Sequence, residues 1–191
     1  MLEKARLLRP LNFLRIQGHP SLAYYRFHFP LLSTFVFGMY LYIFPENINF
    51  WEEGSIGVSI ISFVQVMIGF YIASLAAIAT FSRDILDKPL DGDRATLNAS
   101  ENGITHKRLL TRRHFLTYLF GYLSFISIFI YILGIFFKNI SPVVILNKII
   151  PQYTFSFECF FIFLFLFLFS QLIILTLFGL FYLSDRLQWF S

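Results

Sequence analysis

Four apolar runs divide the chain. They are Phe29 to Pro45, Ser55 to Phe81, Phe115 to Phe137 and Phe155 to Leu183. None contains Lys, Arg or Asp, and Glu158 is the one acidic residue among them. A helix crosses a bilayer core of about 30 Å with about 20 mostly apolar residues. Each run is therefore predicted to be a transmembrane helix, and the fold class is all-α, polytopic, with four spans. Polar sequence gathers in two places. Residues 1–28 form a basic amphipathic segment, and residues 82–113 form a loop inside the membrane domain of residues 29–190. In the first of these, Leu7, Leu11 and Leu14 share a helical face, with Arg6, Arg9 and Arg15 around it. Such a segment lies in the plane of the membrane interface. Pro10 interrupts it, which leaves one helix or two shorter pieces open.

The second run departs from the others. Ser55, Ser59, Ser62, Val66, Gly69, Ala73, Ala76 and Thr80 recur at alternating spacings of four and three. That beat keeps small residues on one stripe. Helices in lipid gain little from hydrophobicity and associate by close approach at such residues. Ser55, Ser59, Ser62, Gly69, Ala73, Ala76 and Thr80 are accordingly the expected helix-packing interface, within one subunit or between subunits. The opposite face carries Ile60, Phe63, Val64, Met67, Phe70 and Ile78, which suits lipid or looser packing. Thr117, Gly121 and Ser124 repeat the pattern more weakly in the third run, and the Phe-rich fourth run is expected to face lipid. The second helix is predicted to continue through Arg83–Lys88 and stop at Pro89. The third is predicted to start near Thr105 as N-cap, with "HKRLLTRRH" in its first turns. The two extensions would form a stalk.

Composition strengthens the membrane reading. Hydrophobic residues make up 57% of the chain and charged residues 14%. A soluble domain holds about half and a quarter. Charge sets the orientation. Thirteen lysines and arginines lie in the two tails and the 82–113 loop, against Lys138 and Lys148 in the other loops. Basic residues stay on the cytoplasmic side. Both termini are thus expected inside, in a multi-pass protein of a bacterial inner (plasma) membrane. No cleavable signal pattern is visible.

Candidate chemistry is sparse. Asp84, Asp87, Asp91 and Asp93 cluster in the loop, but "DGDRATLNASENG" lacks the alternation and final glutamate of a calcium loop. Asp91, Gly92 and Ala95 match the opening of the CDP-alcohol phosphotransferase motif, and Thr96 and the following residues break it. His19, His28, His106 and His114 form no metal-ligand spacing. Cys159 has no second cysteine to pair with. The chain reads as a non-enzyme with no cofactor and no metal. Ion pathways mark themselves with charges inside the membrane. The second and fourth runs offer only Gln65, Gln171 and nearby hydroxyls, so a proton-coupled carrier is not expected.

The loop carries both signs of charge: Arg83, Asp84, Asp87, Asp91, Asp93, Arg94, Lys107, Arg108, Arg112 and Arg113. A mixed-charge surface suits docking to a soluble protein, whereas a purely basic one would suit lipid or nucleic acid. The span plan and the segment "FYIASLAAIATFSRDILDKPLDG" resemble the membrane subunit of the Kiwa antiphage defence system. The resemblance implies a homo-oligomer in contact with membrane lipid. It would sense infection at the membrane and hold a soluble, DNA-binding cytoplasmic effector without touching nucleic acid itself. Two other classes fit the size and span number: a bacteriocin immunity protein and a holin-like oligomeric pore.

Overall fold

The computed structural model describes residues 6–16, 20–43, 50–80, 84–87, 89, 96–101, 104–140 and 154–188. A 3-10 helix, Arg6–Arg15, precedes a helical run made of α1 (Pro20–Ala23), a π-helical turn (Tyr24–His28) and α2 (Phe29–Ile43). After the turn at residues 50–55 come α3 (Ile56–Thr80) and the single-turn α4 (Asp84–Asp87). Strands β1 (Thr96–Glu101) and β2 (Ile104–Leu109) then form a hairpin, followed by α5 (Arg112–Ile140) and α6 (Thr154–Gln188). The described chain is mainly helical.

Three described helices are long and apolar enough to cross a membrane: α3, most of α5 and most of α6. Their lengths are about 37, 43 and 52 Å at 1.5 Å per residue. All exceed the roughly 30 Å hydrocarbon core, so helices of these lengths would tilt in a bilayer or project from it. Each coincides with an apolar run of the sequence.

The long helices pack antiparallel in chain order, with α3 against α5, α5 against α6, and α6 against α2. Ring contacts mark the pairings, with Tyr71 on Phe120, Phe115 on Phe178, and Tyr25 on Phe178. The centre is α5. Its Leu116, Leu119, Phe120, Leu123 and Ile130 are completely buried. Close approach of α3, α5 and α6 depends on Gly134. A Cβ there would meet Ile61 Cγ1 at 2.6 Å and Phe165 Cε2 at 3.2 Å.

An aromatic plug closes the end of the bundle between α2 and α3. Phe50 is buried against Phe165, and Trp51 stacks on Phe137 at 5.3 Å between ring centroids. The chain enters α3 through Gly54, whose φ of +82° suits glycine, and Ser55. The Ser55 hydroxyl donates to Phe50 O at 2.7 Å and accepts from Val58 N at 3.5 Å. Gly57 then passes so close beneath Phe50 that a Cβ would strike its carbonyl oxygen.

Several expectations change. The third helix starts at Arg112, not near Thr105, and Thr105 pairs with Ser100 within the hairpin. "HKRL" therefore belongs to β2, and no helical stalk forms there. The register joins Glu101 to Ile104, and the two residues between them in the sequence are Asn102 and Gly103. Asn-Gly between two strand-length segments is the commonest two-residue hairpin signal. The expectation of a helix start near Thr105 passed over that signal. The extension of α3 to Pro89 passes through residues outside the described set. Its described pieces are Thr80 as the last residue of α3 and the separate α4.

The N-terminal segment is one 3-10 helix that continues through Pro10. It packs against α5. Phe13 is completely buried, stacked on Tyr122 at 5.3 Å and tilted against Phe115 at 6.2 Å. The segment is a strap across the side of α5. The fourth run does not present its phenylalanines to lipid as a whole. Phe160 and Phe163 point outward, whereas Phe165 is completely buried. Cys159 is exposed.

Candidate functional site

Three regions carry the polar or small residues singled out in the sequence, beginning with the outer face of α3. Ser59, Ser62, Val66, Gly69, Ala73, Ala76 and Thr80 are all exposed, and Ser55 is half-buried at the helix start. A Cβ on Gly69 meets nothing within 4 Å. The inward face carries Ile60, Ile61, Val64, Tyr71 and Ile78. Assigning Ile60, Val64 and Ile78 to the lipid side is therefore corrected: these residues fill the core. Phe63 and Phe70 are exposed, and Met67 is half-buried. Bulky residues fill the interior against α5, where Tyr71 meets the Phe120 ring and Ile61 lies against Gly134. Small residues would leave voids there at a cost in dispersion contacts.

Most hydroxyls on the outer face of α3 are satisfied within the helix. Ser59, Ser62, Ser74 and Thr80 donate to the carbonyls of Ser55, Val58, Phe70 and Ala76. They leave a smooth surface that asks for no polar partner. Gln65 is exposed on the same face. Thr117, Gly121 and Ser124 of α5 do not form a matching surface, since Thr117 is exposed and Ser124 is buried.

The second region is the junction of α3, α4 and α5. Arg113 makes a forked ion pair with Asp87, Nε donating to Oδ1 at 2.8 Å and Nη2 to Oδ2 at 3.0 Å. Its Nη1 donates to Ile78 O at 3.0 Å, so one guanidinium ties α4 to the last turns of α3. The hydrogen bonds from Arg113 hold the Asp87 carboxyl below its usual range. Arg112 beside it is almost fully buried. Thr111 and His114 share a 2.7 Å contact at the start of α5, and Pro89 bridges to Thr111. Of the expected docking residues, Asp87, Arg112 and Arg113 thus serve the base of the bundle. Asp84 lies in α4, and Lys107 and Arg108 lie in β2. Arg83, Asp91, Asp93 and Arg94 lie outside the described residues.

The third region was not foreseen. A polar belt crosses the bundle interior, organised by α6. Ser170 meets Ser33 at 3.4 Å and Thr34 at 3.5 Å on α2. Gln171 accepts from Tyr122 Oη at 2.9 Å and donates to Arg26 O at 2.9 Å. Thr176 meets Tyr71 Oη of α3 at 2.5 Å. One helix thereby bonds to α2, α3 and α5, which fixes their register where hydrophobic contacts alone discriminate poorly.

Arg26 sits in this belt with 5% of its surface exposed. It belongs to the π-helical turn, in which Phe29 N donates to Tyr24 O. The widened turn leaves the Arg26 carbonyl to accept from Gln171. Single π turns within α-helical runs often mark functional sites. The Arg26 guanidinium reaches back to the strap. Nη1 donates to Leu14 O at 3.1 Å and Ile16 O at 3.2 Å, and the group lies 4.5 Å from the Phe13 ring centroid. Arg26 read in sequence as one more basic residue ahead of the first span. The available signal was its neighbourhood, "LAYYRFHFPLLSTF", in which it is a lone arginine among apolar and aromatic residues.

No family model, curated protein or solved structure matches the chain. Its chemistry has to be argued from its own geometry.

Proposed function

We propose that this chain is a non-enzymatic membrane subunit. It assembles with copies of itself through the outer face of α3 and presents its β1–β2 side to a soluble protein. The observation that carries this reading is the inversion of α3. Ile60, Ile61, Val64, Tyr71 and Ile78 are consumed by the subunit core, and the stripe from Ser59 to Thr80 that includes Gly69, Ala73 and Ala76 is left facing outward, beside the exposed Phe63, Phe70 and Ile72. Small outward faces permit the close backbone approach on which helix association in lipid depends. The antiphage setting comes from the Kiwa-like segment around α3 and from the mixed charge of the 82–113 loop. In that setting the subunit registers infection at the inner membrane and holds a cytoplasmic effector.

A fourth span is part of the proposal. Pro20 to Ile43 is continuously helical and about 36 Å long, enough to cross the hydrocarbon core. Its Leu31, Leu32, Phe35 and Val36 point outward, as lipid contact requires. With the basic residues inside, both termini are cytoplasmic, and the hairpin with Lys107 and Arg108 faces the same compartment.

The test is purification of the tagged chain from membranes in a mild detergent, with native mass spectrometry. The expected result is an oligomer carrying a soluble protein. Lys107→Glu with Arg108→Glu should release the protein and keep the oligomer. A monomer with no co-purifying protein, in a preparation that keeps its helical signal, would refute the proposal.

A further inference from the structure

Arg26 has a further property that the packing of the bundle does not use. Its Nη1 is occupied by two strap carbonyls, yet Nε and Nη2 are buried and have no hydrogen-bond partner. Those two N–H groups form one edge of the guanidinium. They point in parallel and match two oxygens of a carboxylate or phosphate. Among the described residues no acidic side chain pairs with Arg26, and its guanidinium meets neutral groups: the Leu14 and Ile16 carbonyls, the Phe13 ring and nearby Tyr122. A buried, uncompensated cation is costly, and an anion that completes it is correspondingly favoured.

We propose that the Nε–Nη2 edge of Arg26 binds a phosphate group, with the N-terminal strap as its cover. The Phe13 ring over the guanidinium closes the site. Arg9 and Arg15, both exposed on the strap, draw anions toward it. Phosphate is favoured because the site belongs to a membrane bundle, where phospholipid headgroups are the abundant two-oxygen anions. A free phosphate has the same chemistry, and the experiment separates the two sources.

The full chain is purified in detergent and stripped of lipid. Its thermal unfolding is then followed with dioleoylphosphatidylglycerol, with dioleoylglycerol, which has the same chains and no phosphate, and with inorganic phosphate. Native mass spectrometry reports retained lipid. The expected result is that phosphatidylglycerol raises the wild-type midpoint and is retained at one copy per chain, while dioleoylglycerol does neither. Retention should fall at least tenfold in Arg26→Gln. Arg26→Lys, which keeps the charge and loses the fork, should fall between the two. Stabilisation by inorganic phosphate alone would identify a free anion as the ligand. Equal wild-type responses to phosphatidylglycerol and dioleoylglycerol, without a response to phosphate, would overturn the proposal even if neither variant folds. So would phosphatidylglycerol retention undiminished in Arg26→Gln.

Discussion

Two glycines in neighbouring helices separate assembly from folding. Gly69 faces outward, and a Cβ there meets no atom within 4 Å. Gly134 faces inward, where a Cβ would lie 2.6 Å and 2.8 Å from two atoms of Ile61 and 3.2 Å from Phe165. Overpacking a filled core costs about 1–3 kcal/mol. Replacing glycine by alanine within a helix returns about 1 kcal/mol. Gly134→Ala should therefore range from nearly neutral to about 2 kcal/mol destabilising, because only part of the clash is relieved by rotating the Ile61 side chain. At Gly69 the steric term vanishes for the single subunit, and alanine or leucine there should leave its stability unchanged or higher by up to about 1 kcal/mol.

In an assembled protein the effects exchange places. Gly69→Leu, with Ala73→Leu as a companion, fills the outward face and should shift the mass distribution toward monomer. Gly134→Ala should lower the unfolding midpoint and leave subunit number alone. Both are measured on one preparation, by native mass spectrometry and by thermal unfolding in detergent. An intact oligomer in Gly69→Leu would remove this face from the interface. A large loss of subunit stability in the same variant would mean that the face is covered within the subunit, contrary to the open space beside Gly69.

Three further outcomes are expected. Tyr122→Phe removes the hydroxyl that donates to Gln171 and leaves a buried acceptor, for a loss of about 1–3 kcal/mol in unfolding free energy. Thr176→Val removes the acceptor of the buried Tyr71 hydroxyl, since Thr176 gives its own proton to Leu172 O, and should cost a similar amount. Phe13→Ala should free the strap without unfolding the bundle, read as faster hydrogen exchange and tryptic cleavage at residues 6–16, with α5 and α6 unchanged. The Asp87–Arg113 pair sets a pH dependence. Because the folded carboxyl titrates below its usual range, its contribution to holding α4 is complete above the ordinary carboxylate value. It is lost as pH falls through the lowered folded value. Exchange at α4 should accelerate only in strongly acidic buffer, and Asp87→Asn should abolish that step.

The sequence by itself determined the long apolar helices. Runs such as Ile56–Thr80 and Thr154–Gln188 hold too little charge for water and enough length for a bilayer, and that follows from composition over about 20 residues. The Asn102-Gly103 dipeptide is a local hairpin signal that needs no tertiary partner, yet the basic run after it reads as the first turns of a helix, and the hairpin was not foreseen. The rotation of α3 was beyond the reach of the sequence. In lipid both faces of a helix are apolar, so periodicity separates large from small residues without saying which side is inside. Packing against the neighbouring helices decides that, and it buries Ile60, Ile61, Val64 and Tyr71. Likewise, the burial of Arg26 depends on a π turn, on a strap folded back over Phe115 and Tyr122, and on Gln171 arriving 145 residues later. Long-range contacts of that kind have no local pattern, and only the assembled bundle places a cation among neutral groups.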